Sequence, residues 1–160
     1  MFTYLESDCV PLEAFPIKWR WLEENHTPLP EADLQTIHPL SEAKAREAYE
    51  YSKNFQGGNY RTRYQEIDEY HVEGRNHEPF YNNAREWLLS HLGNDSGIIF
   101  ISWIEPWAMA VELRTFLTYW ESFLYPVEDV VIWPAHEQWA LLFDYKQRFY
   151  FARRKDGGAR

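Results

Sequence analysis

Glu69, His71, Glu73, His77 and Glu78 fall within the ten residues EYHVEGRNHE, the densest group of potential metal ligands and proton-transfer side chains in the chain. A helical zinc pair requires two histidines at i and i+4. His71 and His77 are six apart, with Gly74 between them and no cysteine beside them. The spacing describes a loop carrying titratable histidines, so neither a metal nor a cofactor is expected. Ser90-His91 and Cys9 are the nominal nucleophiles, but no G-x-S-x-G elbow surrounds the serine, and Asp8 opposes thiolate formation at Cys9. Gly57-Gly58 lacks the lysine and the preceding strand of a phosphate loop and is predicted to be a turn. No catalytic residue is assigned on these grounds.

A second constellation depends on charge. Tyr60, Tyr64, Ile67 and His71 recur at i, i+4, i+7 and i+11, which predicts an amphipathic helix over 60–72. On that helix Glu66, Glu69 and Glu73 form one stripe, with Asp68 and Glu78 nearby. Like charges on one helical face repel and cost stability. A solvated face is one reading of such a run; the other is a partner-binding surface made of Glu66, Asp68, Glu69 and Glu73, with Tyr64 and Tyr70 supplying apolar area. Arg61, Arg63 and Arg75 could neutralise part of the stripe.

The elements that must position these residues follow from periodicity and punctuation. Pro11, Pro16, Pro28, Pro30 and Pro39 limit regular structure in the first forty residues to short pieces. A short strand is read at 2–5 and partly helical structure around 17–24. Ser41 is placed to cap a helix running to about Asn54. Asn83 and Glu86 form a capping box for a helix with the apolar stripe Ala84, Trp87, Leu88 and Leu92, which Gly93 should stop in a left-handed conformation. GIIFISW (97–103) reads as a central strand buried on both faces. Pro106 is expected to start a helix running to Leu124, and three strands ending near Trp133, Phe143 and Ala152 should form an antiparallel meander.

The whole is a single α+β domain over 1–152. It is expected to contain about five strands in a mixed or antiparallel sheet, with helices packed mainly on one face and a basic flexible tail at 153–160.

Across 160 residues the chain carries 16 basic and 25 acidic residues, a net charge of −9. Such a domain repels nucleic acid and anionic membranes and attracts a basic protein. One cysteine allows no intrachain disulfide, and no run approaches the length of a membrane span. A cytoplasmic protein is therefore expected. Aromatic residues make up 18% of the chain, enough to fill a core and still leave rings for an interface.

Between about 97 and 154 the run of Trp103, Trp107, Phe116, Trp120, Phe123, Tyr125-Pro126, Asp129, VIWP, Trp139, Leu141, Phe143, Phe149, Phe151 and Arg153-Arg154 resembles small acidic bacterial proteins of the predicted toxin-immunity type. The resemblance implies a protein that neutralises a cognate toxin and carries no catalytic residue. Charge and resemblance together lead to the expectation of a binding protein for a basic partner, most plausibly a toxin nuclease. Two alternatives stay open: a small enzyme with a histidine and carboxylate site near 69–78, and a self-associating domain.

Overall fold

A computed structural model describes residues 1–26, 28–57, 66–72 and 78–154, and for residues 66 and 78–81 the backbone alone. Seven strands form one sheet: β1 (Ile37–Pro39), β2 (Glu66–His71), β3 (Ile98–Ser102), β4 (Ala108–Glu112), β5 (Val130–Pro134), β6 (Trp139–Phe143) and β7 (Arg148–Arg153). Their spatial order is β1-β4-β3-β5-β6-β7-β2, and every pair is antiparallel. Residues 97–103 do supply a central strand, since β3 lies between β4 and β5. The expected meander is β5-β6-β7.

Both faces of the sheet are buried, because the central strands are apolar in both phases of their alternation. One face carries Ile99, Ile101, Met109, Val111, Ile132, Leu141, Phe149 and Phe151; the other carries Phe100, Ala108, Ala110, Val131, Trp133, Ala140 and Ala152. Helices α1 (Trp19–Leu22), α4 (Glu78–Leu92), α5 (Leu113–Thr118) and α6 (Trp120–Phe123) pack on the first face, and α3 (Glu42–Ser52) on the second. A further single turn, α2 (Glu31–Leu34), precedes β1. The Ser41 hydroxyl caps α3 by accepting the Lys44 N–H at 3.3 Å. Ala45 and Ala48 on this helix belong to one buried cluster with Ala108 and Ala110 on β4, and small side chains suit the packing of the helix on that strand.

Several expectations are corrected. The sheet has seven strands rather than five, and α3 covers the face opposite the other helices, so coverage is two-sided. Residues 2–5 form no strand; the N-terminal segment touches the sheet through an isolated bridge between Cys9 and Leu40. The helix expected from Pro106 to Leu124 begins only at Leu113, because Ala108–Glu112 is β4. Met109 and Leu113 mimic a helical repeat across the strand-to-helix junction. Gly93 ends α4 without a left-handed φ; a Cβ there would lie 2.5 Å from the Leu89 carbonyl oxygen. Helix α4 starts at Glu78, inside the segment read as a loop. Strand β7 runs to Arg153, and the Arg154 N–H donates to the Gln138 carbonyl, so pairing extends into the expected tail; residues 155–160 lie outside the described residues.

The edge strand β2 is held by aromatic packing from α4. Trp87 stacks on Phe149 with ring centroids 5.6 Å apart and meets Tyr70 at 5.6 Å, while His91 stacks on Phe151 at 4.4 Å. Phe149 also packs on Trp120 and Phe143. Phe149→Ala is expected to lower unfolding free energy by about 3–5 kcal/mol in chemical denaturation, while Ile67→Ala on the exposed face of β2 changes it by about 0.5 kcal/mol or less. Similar losses for the two variants would refute this account of β2.

Candidate functional site

The acidic stripe is absent at 66–71, where the chain is a strand. Alternation places positions 66, 68 and 70 toward α4 and positions 67, 69 and 71 toward the α3 side. Asp68 and Glu69 therefore do not share a face. Tyr64, Glu73 and His77 lie outside the described residues. The helical reading failed because β2 inverts the usual pattern, with polar Asp68 turned inward and Ile67 outward. Tyr70 is half-buried against Trp87, so it serves the core.

Asp68 is occupied within the fold. Its Oδ2 accepts the Trp87 indole N–H at 3.1 Å and lies 2.8 Å from His91 Nε2, while Oδ1 accepts the Glu69 N–H at 2.9 Å. Burial pushes this carboxyl up, but the bonds from His91, Trp87 and Glu69 outweigh it and hold it below the usual range. The same arrangement recurs just beyond the C-terminus of α4. Asp95 accepts the Trp139 indole N–H and the Ser96 N–H, and lies 3.3 Å from His136 Nε2. Burial again pushes its carboxyl up, and the bonds from Ser96, Trp139 and His136 bring it down. Gln138 N–H donates to His136 Nδ1, so Nε2 carries the proton offered to Asp95. Each trio fastens an aspartate from outside the helices to a buried or half-buried tryptophan. Neither imidazole bonds a hydroxyl or thiol among the described residues, so the trios hold elements together rather than activate a nucleophile.

Cys9 is similarly removed from nucleophilic work. Burial pushes its thiol up, and Asp8 and Glu6 push it further.

The arrangement most suited to holding another molecule lies elsewhere, at the end of the sheet where β3, β6 and β2 finish and β4, β5 and β7 begin. On the α3 face a cavity of about 340 Å³ opens between the C-terminal turn of α3 and the strands, at the small end of ligand sites. Tyr49, Ser52 and Gln56 form one wall; Ser102, Val131 and Leu142 come from the sheet; Asp129, Asp144 and Tyr150 lie opposite, with Trp103 and Ile104 at the end. Ser102 is 1% exposed and its Oγ has no hydrogen-bond partner. A buried hydroxyl in that condition costs about 1–3 kcal/mol. Asp144 accepts N–H bonds from Lys146 and Arg148, the Tyr150 hydroxyl at 3.1 Å and the Arg148 guanidinium. Burial pushes its carboxyl up, and these bonds outweigh it and leave it low. Asp129 accepts only the Tyr145 N–H, at 3.0 Å, and forms no ion pair among the described residues.

Glu69 lies opposite Tyr150, a residue of this cavity, across the β2–β7 pair. Arg148 pairs with Asp144 and feels the charge of Glu69, and Asp129 lines the same cavity as Asp144; Lys146 lies over the Tyr145 ring.

Exposed apolar residues lie in the loops at the same end of the sheet. Ile104 is 51% exposed, Tyr145 56% and Val127 83%. Val127 also has φ 64°, a left-handed conformation that costs a β-branched residue about 1–3 kcal/mol. Asp129 links the group: it lines the cavity with Ile104, bonds Tyr145, and lies two residues from Val127. Below the rim, Arg20 is buried, bonds Glu128 and lies 4.0 Å from the Tyr125 ring centre, which anchors the 125–129 loop to α1. The sequence offered one signal for this site, the clustering of Asp129 and Asp144 at strand ends; nothing in it marked Ser102.

Compared with known proteins, the chain matches no family model, no curated protein and no solved structure. Among the described residues no helix is long and apolar enough to cross a membrane, and no three metal-ligating side chains gather.

Two outcomes follow. The carboxyls of Asp68, Asp95 and Asp144 are lower in the folded chain than unfolded, so the unfolded state binds more protons in acid. Their contribution is complete above the unfolded value of about 3.9 and is lost as pH falls through the lower folded values. Asp95→Asn should flatten the decline of stability between about pH 5 and pH 2; an unchanged acid limb in denaturation would contradict the assignment. Ser102→Ala should leave stability unchanged or raise it by up to about 1 kcal/mol, because it removes an unpaired polar atom; a loss above about 2 kcal/mol would mean that the hydroxyl is bonded.

Proposed function

We propose that the chain is a cytoplasmic binding protein that neutralises a basic protein, in the manner of an immunity protein blocking a cognate toxin nuclease. The observation that carries this reading is the cluster at one end of the sheet: three exposed apolar side chains, one of them strained, around carboxylates without a full cationic complement. Interface energy concentrates in central apolar and aromatic anchors, whereas charge governs the rate of encounter. Ile104, Val127 and Tyr145 supply the first. Asp129 and Glu69 supply the second, within a net charge of −9.

A nuclease must present cationic groups to phosphate. An acidic surface is drawn to those groups over a Debye length, and its apolar rim then excludes water where the two proteins meet. The strain at Val127 supports the same reading, because a valine at φ 64° that is 83% exposed gains nothing from the core.

Affinity capture from the native host's lysate at low salt, followed by a high-salt wash, should recover one strongly basic protein in stoichiometric amount. Expression of that protein alone should be toxic, and co-expression with the chain should relieve the toxicity. Against the recovered protein, the double variant Glu69→Gln/Asp129→Asn should associate about three- to tenfold more slowly at low salt and show a flatter salt dependence. Unaltered association, or a partner that is not basic, would overturn the reading.

A further inference from the structure

We infer that the 340 Å³ cavity is a socket for one arginine side chain presented by the basic partner, an inference that rests on the preceding reading and specifies its central contact. Three independent features converge on this ligand. The first is size: the volume accommodates a single long side chain rather than a folded element. The second is the buried hydroxyl of Ser102 on the sheet face that the cavity opens against, an acceptor held out of water with no hydrogen-bond partner among the described residues. The third is electrostatic. Asp129 lines the cavity without an ion pair among the described residues, and Glu69 adds charge beside Tyr150, while the Arg148 guanidinium is already bound to Asp144.

Arginine fits these features better than lysine. Its planar head has five N–H donors, so one group can donate to Ser102 Oγ in the floor and to the Asp129 carboxylate at the mouth. Val131 and Leu142 offer the aliphatic stem an apolar wall, while the Tyr49 and Tyr150 rings are already covered by Lys53 and Arg148. An ammonium is a point charge, strongly hydrated, and leaves one of the two acceptors unmet. An anion or a phosphate has no place here, since two carboxylates line the cavity and Arg148 is spent on one of them.

The test uses the chain alone with the peptide acetyl-Gly-Arg-Gly-amide as probe, followed through backbone amide and indole resonances of isotope-labelled protein. Saturable shifts are expected at Ser102, Trp103, Asp129 and Tyr150, with millimolar affinity. The citrulline peptide, equal in shape but uncharged, and the lysine peptide should each bind about fivefold or more weakly. Ser102→Ala and Asp129→Asn should each weaken the arginine peptide about threefold or more while leaving the remaining resonances in place. Shifts centred elsewhere, no saturation at tens of millimolar, or equal binding of citrulline would overturn the socket. Loss of the socket alongside capture of a basic partner discards this inference and keeps the proposed function. A bound arginine peptide with no basic partner captured does the reverse.

Discussion

The packing of α3 on β3 and β4, with small side chains on both elements, sets the arrangement of one whole side of this protein. Ala45 and Ala48 on α3 share a buried cluster with Ala108 and Ala110 on β4, and the small side chains at these positions suit the close packing of the helix on β3 and β4. Next to this contact the filling changes to large rings: Trp133 packs against Phe55, Tyr51, Phe100 and Phe2. A helix seated low on one half of a twisted sheet cannot also close over the far end of the other half. The cavity lies there, under the C-terminal turn of α3, with Ser102, Val131 and Leu142 as its sheet side.

The opposite face is closed in another way. Helix α4 runs over β7 and β2, and each of two aspartates, Asp68 and Asp95, takes one indole N–H and one imidazole. An indole N–H buried without an acceptor is costly, and a carboxylate can accept several donors at once. Pairing the two groups lets tryptophan serve as core filler at the border of the sheet. The edge strand β2 is thereby fixed by a helix, which also limits open strand pairing at that edge.

The contrast between the two kinds of carboxylate bears on function. Asp68, Asp95 and Asp144 are committed to bonds within the chain and lie low in pKa because of them. Asp129 and Glu69 form no ion pair among the described residues and stand beside exposed apolar side chains. Net charge alone does not separate these groups. A partner would sense only the second.

Much of the fold is written locally. The burial of 97–103, the meander of the last three strands and the Ser41 cap of α3 depend on alternation, turn residues and a single hydroxyl, all of which act within a few residues. Three features were decided by tertiary structure. Residues 108–112 became β4 rather than the first turns of a helix because β1 and β3 flank them, and pairing on both sides outweighs a helical spacing shared by Met109 and Leu113. Residues 66–71 became β2 because β7 offered an edge and α4 supplied Trp87 and His91 to receive Asp68, a partner invisible from within the segment. The candidate site joins Ser102, Asp129 and Tyr49 from three separate elements. The sequence by itself determined an acidic, aromatic-rich α+β chain with a central buried strand. Which carboxylates remained free was settled only when distant elements met, because a charge's availability depends on every donor the fold brings within hydrogen-bond reach.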